Sequence, residues 1–196
     1  MKKGWIIFCS ILAVVFLLVM SFVGSYNGLV RMDEQVTQAW AQVENVYQRR
    51  LDLIPNLVET VKGYAAHEKS TFVEVTEARS RAAGSISPDA INDPQKFAQF
   101  QQSQTALSSA LSRLMVVVEK YPDLKANENF LSLQAQLEGT ENRIAVERGR
   151  FNEFAQAFNT RIRQFPTNVI AGMYNFKVKE YFKSEPEAKT VPKVKF

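Results

Sequence analysis

Between Trp5 and Val23 the chain runs for 19 residues without a charge, interrupted only by the hydroxyls of Ser10 and Ser21. At about 1.5 Å of rise per residue, such a helix reaches roughly 28 Å, close to the hydrocarbon thickness of a bilayer. A transmembrane helix is therefore the first element predicted. A cleaved secretory signal is the rival reading, because Lys2 and Lys3 supply a positive start and Val23-Gly24-Ser25 loosely resembles a cleavage site. The apolar cores of such signals hold about 7–15 residues, and this run is too long for one. Cys9 follows Ile6-Ile7-Phe8 and not the small residues of a lipoprotein signal, so it reads as a membrane-buried apolar side chain.

Lys2 and Lys3 precede the span, whereas Arg31 is the only basic residue at a comparable distance beyond it. The positive-inside bias then expects a single-pass protein of a bacterial cytoplasmic (inner) membrane, its N-terminus inside and its domain exported to the periplasmic side. The bias rests on one residue, so a cytosolic domain stays open. A single cysteine permits no intramolecular disulfide and cannot choose the compartment. Beyond the span, 22 basic residues face 20 acidic ones, which gives no electrostatic argument for nucleic acid.

The remainder is helix-periodic. Leu29, Met32, Val36, Ala39, Val43, Val46, Leu53 and Leu57 follow spacings of three and four, with Arg50 occupying the one missing step. Trp40, Tyr47, Ile54, Val58 and Val61 widen this stripe beyond a coiled-coil seam, as a bundle helix requires. Pro55 cannot donate to the Leu51 carbonyl and should kink or interrupt the helix; the stripe keeps its phase across it, which favours a kink. A shorter helix from about Ala65 to Ala83 either stands alone or continues the first. Asp93-Pro94 reads as an N-cap with proline at the first helical position, opening a stripe from Phe97 through Phe100, Leu107 and Leu114 to Tyr121 that stops before Pro122. A last long helix is expected from about Asn127 to Gln164, with Phe130, Leu133, Leu137, Ile144, Phe151, Phe154, Phe158 and Ile162 on its apolar side.

The predicted fold is all-α: an N-terminal transmembrane helix followed by an antiparallel up-and-down bundle of three to four long helices. Residues 1–4 are a short flank, 5–23 the span, 24–166 the bundle, and 167–196 an amphipathic strap with a mobile tail. In that last segment Tyr174, Phe176, Lys177, Lys179, Tyr181 and Phe182 interleave aromatic and cationic side chains. They either strap one end of the bundle or form an interface with lipid headgroups or a neighbouring subunit.

Long motifs in order then carry a resemblance. They include Tyr26-Asn27, Ala39-Trp40, the segment from Arg50 through Pro55-Asn56 to Tyr64, His67-Glu68, Tyr121-Pro122-Asp123-Leu124-Lys125-Ala126-Asn127, and Glu138-Gly139-Thr140-Glu141-Asn142-Arg143-Ile144-Ala145. Phe151-Asn152, Phe165-Pro166 and Ile170-Ala171-Gly172 complete a pattern that covers nearly the whole chain and resembles the LemA family. One mild departure is Phe151-Asn152, where the family commonly has Tyr-Asn. The resemblance implies a bacterial single-pass membrane protein with an antiparallel helical bundle and no established enzymatic activity. It also implies relatives associated with membrane-compartment formation and others with membrane-protease systems.

Catalytic motifs are missing from the sequence. His67 is the only histidine, His67-Glu68 lacks the second histidine of a zinc-protease helix, and no nucleophile elbow, phosphate-cradling glycine loop or cysteine pair occurs. No catalytic, cofactor or metal residues are expected. The more informative polar residues are Arg50, Asn56, Glu141, Asn142, Arg143 and Asn152, which are candidates for a buried network between the first and last helices. Within it Arg50 pairs with a carboxylate such as Glu141; the competing reading lets Arg50 snorkel to solvent. The expected function is a non-enzymatic membrane scaffold that contacts lipid, self-associates into a homo-oligomer and organises membrane or envelope partners. The alternative is an adaptor or regulator of a membrane protease system, with a membrane-protein partner.

Overall fold

The computed structural model describes residues 2–183; the charged tail from Ser184 onward lies outside the described residues. Six α-helices and one 3-10 turn follow in order: α1 (Lys2–Lys62), α2 (Lys69–Gly84), the 3-10 turn (Pro88–Asn92), α3 (Pro94–Val118), α4 (Pro122–Lys125), α5 (Glu128–Arg163) and α6 (Thr167–Met173). No strand occurs among the described residues, so the chain is an all-α helical bundle.

α1 contains both the apolar span and the first bundle helix. Its 61 residues correspond to a rod of about 90 Å. From Lys3 to Met20 every residue is exposed, as a lipid-facing surface would be; burial begins around Phe22 and is complete at Leu29. α5 runs antiparallel along α1. Asn127 at the start of α5 donates to the Tyr64 hydroxyl just past the far end of α1, and Ile162 near its end shares a core with Leu29.

Local chemistry explains the boundaries. The Asp93 side chain accepts from the amides of Gln95 and Lys96 at 2.9 and 3.3 Å, opening α3 with Pro94 at its first position. Asn127 caps α5 in the same way, accepting from Phe130 at 3.0 Å. Pro55 does not interrupt α1. The Leu51 carbonyl, which proline leaves without its helical donor, accepts instead from Arg79 Nε on α2 at 2.8 Å. α2 is a separate helix after the turn at 63–68, and the short α4 and the 3-10 turn, which buries Ala90 and Ile91, were not anticipated from periodicity.

The core falls into two clusters. The one far from the span is mainly aliphatic and lies between α1, α2, α3 and α5: Leu51, Leu57, Val61, Val75, Leu107, Leu114 and Leu137 are typical members, joined by Phe72 and Phe130. The one near the span is aromatic, with Trp40, Tyr47, Phe97, Phe100, Phe151, Phe158 and Phe182. In this half α2 no longer reaches, and the 3-10 turn and the segment after α6 take its place.

Candidate functional site

Two polar constructions stand out, and both exist to hold elements together. The first lies at the seam between the cores. Arg50 is 3% exposed, so its guanidinium does not snorkel to solvent. Its Nη2 donates to Ser108 Oγ on α3 at 2.7 Å, and its Nε lies 2.8 Å from Glu141 Oε1 on α5, off the hydrogen-bond direction, so that contact is an ion pair. The Ser108 hydroxyl donates onward to the Gln104 carbonyl at 3.1 Å. One charged residue thus ties three helices at one level. Glu141 is half exposed, which leaves its carboxylate hydrated while the guanidinium is buried.

Tyr47, one turn toward the span, is buried. Burial pushes its phenol above the ordinary range, with the guanidiniums of Arg148 and Arg50 pulling the other way. Burial also pushes the Glu44 carboxyl up, offset in part by the neighbouring Trp40 indole. Beside Arg50 a cleft of about 310 Å³ opens between Ser108, Met115, Leu137 and Glu141.

The other expected members of this network are elsewhere. Asn56 is on the exposed side of α1, and Asn142 and Arg143 are exposed on α5. Successive helical residues turn by about 100°, so of 141, 142 and 143 only Glu141 can face α1. Asn152 is half-buried but serves the second construction, and the sequence reading missed Ser108 altogether.

That second construction holds the segment after α6. α6 ends in a Schellman motif: Asn175 adopts φ 56°, the Phe176 amide donates to the Ala171 carbonyl at 2.9 Å, and the Asn175 amide to that of Gly172 at 3.4 Å. Asparagine tolerates this left-handed conformation better than most residues. The chain then turns into an extended strap against α5. Asn159 Nδ2 donates to the Lys179 carbonyl while its Oδ1 accepts from the Lys179 amide, both at 2.8 Å. Asn152 treats Phe182 the same way, at 2.9 Å in each direction.

Each asparagine side chain thus acts as one peptide unit of a missing neighbouring strand. The spacing explains why two fit. Seven residues of helix advance about 10.5 Å and three of extended chain about 10 Å, so Asn152 and Asn159 come into register with Phe182 and Lys179. Arg148 continues the series, donating from Nη2 to the Lys183 carbonyl at 3.0 Å.

The strap's side chains complete the aromatic core. Phe182 sits with ring centroids 5.0 Å from Phe97, 5.5 Å from Phe151 and 6.0 Å from Trp40, and the Arg148 guanidinium lies over its ring, 4.8 Å from the centroid. Lys179 is 4% exposed, yet its ammonium is matched: Nζ donates to Asn92 Oδ1 at 2.7 Å, lies 2.8 Å from Asp33 and covers the Phe158 ring. Of the six residues expected as an interface, Lys179 and Phe182 are therefore core and Phe176 is half-buried. Tyr174, Lys177 and Tyr181 remain exposed.

The remaining polar candidates are surface features. His67 is exposed in the turn after α1, and Glu74 and Glu77 pair with Arg113 and Arg81. Among the described residues no group of His, Cys, Asp or Glu side chains is placed to hold a metal ion.

A long apolar N-terminal helix continuous with a strapped helical bundle defines a membrane-associated helical protein. The sequence model of the LemA family matches residues 39–196, and the chain belongs to that family. It is 30% identical over 182 residues to the magnetosome proteins MamQ 1 and MamQ 2 of Paramagnetospirillum magneticum, an alignment covering 84% of this chain and 67% of each relative. It is 26% identical over 160 residues to protein LemA of Metamycoplasma hominis, covering 80% of this chain and 69% of that protein.

Proposed function

We propose that this protein is a non-enzymatic scaffold, anchored in a bacterial cytoplasmic membrane, that self-associates and organises membrane or envelope partners by contact. The observation that carries the reading is the unbroken course of α1 from Lys2 to Lys62. With no linker between span and bundle, the orientation of the anchor is transmitted to every helix packed on α1. The buried polar residues Arg50, Asn159 and Lys179 and the half-buried Asn152 support the same reading, because they are engaged in joining elements. Relatives named for a magnetosome fit a role within an assembly.

The positive-inside bias of Lys2 and Lys3 against Arg31 supports a bundle outside the cytoplasm. Protease added to intact spheroplasts should remove the bundle; digestion only after membrane disruption would overturn that orientation. Self-association is tested by mass in mild detergent across a concentration series. The scaffold reading expects large homo-oligomers that persist on dilution, and a strict monomer at every concentration contradicts it.

A second reading, an adaptor or regulator of a membrane protease system, draws on a different place. An apolar cleft of about 380 Å³ lies at the end of the bundle remote from the span, lined by Lys62, Lys69, Phe72, Val73, Thr76 and Glu77. Lys62 stands about 58 Å along α1 from Val23, a position suited to a partner that projects from the membrane.

A further inference from the structure

The bundle's other end carries an apolar surface that its own fold leaves uncovered. Phe165, Val169 and Met173 recur every four residues from the α5–α6 corner through α6 and are 84%, 54% and 67% exposed, while Ile170 and Ala171 on the opposite side of α6 are buried. Tyr174, which follows, is 51% exposed. The level of this surface relative to the bilayer is set by α1. Phe22 belongs to the apolar span, and its ring centroid is 6.4 Å from that of Tyr174; Tyr26, one turn on, is 4.5 Å from Tyr174 and 6.2 Å from Phe176. Tyr174 is thereby fixed at the depth where the span leaves the hydrocarbon, the level that aromatic side chains with a polar tip favour. Exposed cations flank the surface: Arg31 on α1, Arg161 and Arg163 in the last turn of α5, and Lys177 on the strap.

We propose that α6 is a second membrane contact, lying in the headgroup–acyl boundary of the bilayer that Trp5–Val23 crosses, with Phe165, Val169 and Met173 directed into the lipid and the surrounding cations facing lipid phosphates. Such a position resolves the two-sided apolar character of α6, one side packed on the bundle and the other on lipid. It also gives the bundle two attachment points. A single span can tilt in the bilayer and carry the rigid bundle with it; α6 sets which face of the bundle turns toward the membrane. The inference rests on the anchored reading of α1 and is independent of self-association.

The test uses the full chain with Cys9→Ala and single Val169→Cys or Met173→Cys substitutions, each carrying an environment-sensitive fluorophore, in nanodiscs of zwitterionic and anionic lipid holding one copy each. Val146→Cys, at a 66% exposed site about 24 Å along α5 from the membrane-proximal Ile162, is the aqueous control. At 169 and 173 the emission should shift to the blue, be lost when nitroxide-bearing lipid is included, and resist aqueous iodide. The control should show the reverse. Iodide quenching at 169 and 173 equal to that at 146 would overturn the proposal, as would lipid-like emission that appears only when two copies share a disc, because a second copy would then be the cover. Failure of the chain to enter nanodiscs at all would overturn the anchored reading and this inference with it.

Discussion

The two halves of the bundle solve the same packing problem differently. Away from the span, four helices enclose a mainly aliphatic core with only Phe72 and Phe130 as buried aromatics, and the carbonyl that Pro55 leaves without a helical donor is satisfied across helices by Arg79. Near the span the long helices are α1, α3 and α5, with Ala90 and Ile91 of the 3-10 turn and Ile170 and Ala171 of α6 added at the edges. The fourth position is filled by extended chain, and the core becomes aromatic. A strap presents fewer side chains per unit length to a core than a helix does, so large rings such as Phe182 must fill the volume. Its backbone must also find partners outside any ladder, and Asn152 and Asn159 supply them. The membrane-proximal half therefore depends on a few non-local contacts, while the distal half depends on ordinary helix packing.

Truncating the ring that closes the proximal core should separate the halves most. Phe182→Ala removes a buried aromatic and is expected to cost about 3–5 kcal/mol. In a Trp5→Phe background, the fluorescence of Trp40 should report the proximal half melting before the helical circular dichroism is lost. A single coincident transition at the wild-type temperature would break the comparison. Asn159→Ala comes next, leaving the Lys179 amide and carbonyl buried without partners, at about 1–3 kcal/mol. Hydrogen exchange at Lys179 and Phe182 should accelerate while that of α2 stays unchanged.

At the seam, Glu141→Gln should cost about 1–2 kcal/mol, below the roughly 3–5 kcal/mol of a fully buried pair because Glu141 is half exposed. Adding Arg50→Leu to it should restore stability, since the two apolar cores would then meet; a double variant no better than the single would argue against a charge-driven penalty. Arg79→Met, in the distal half, should cost about 1 kcal/mol through the Leu51 carbonyl, an effect expected to disappear when Pro55 is replaced by Ala. The smallest effect concerns Glu44. Its folded pKa is raised above the ordinary 4.5, so the folded state holds its proton to higher pH than the unfolded chain. The resulting penalty is absent below that value and complete above the folded pKa. Glu44→Gln should therefore stabilise slightly at pH 7 and not at pH 4, as measured by denaturant midpoints.

What could be read from the sequence followed periodicity and local chemistry. The break at Arg50 in an otherwise regular stripe marked the seam, because a charge at a core step must either escape or be paired. Asp93-Pro94 and Asn127 marked helix starts through interactions spanning two or three residues. Contacts between distant segments were not legible. Nothing local to Asn152 or Asn159 says that a strap 20 to 30 residues later will lie against them, and Arg79 gives no sign of serving a carbonyl 28 residues earlier. The strap and interface readings of Lys179 and Phe182 could not be separated for the same reason, and the structure decides for the strap at these two residues: alternating aromatic and cationic residues look alike whether the segment faces the core or the lipid. Asn56, Asn142 and Arg143 show that polar density near a core step does not specify which side of the helix each residue occupies.

The scaffold account stands on contact between copies in the membrane, and crosslinking in native membranes tests it most directly. With an amine-reactive reagent acting on the exposed lysines of the full-length chain, the account predicts a ladder of self-adducts as the dominant products. A single recurrent adduct with a different protein, and no self-adduct at any reagent concentration, would contradict it.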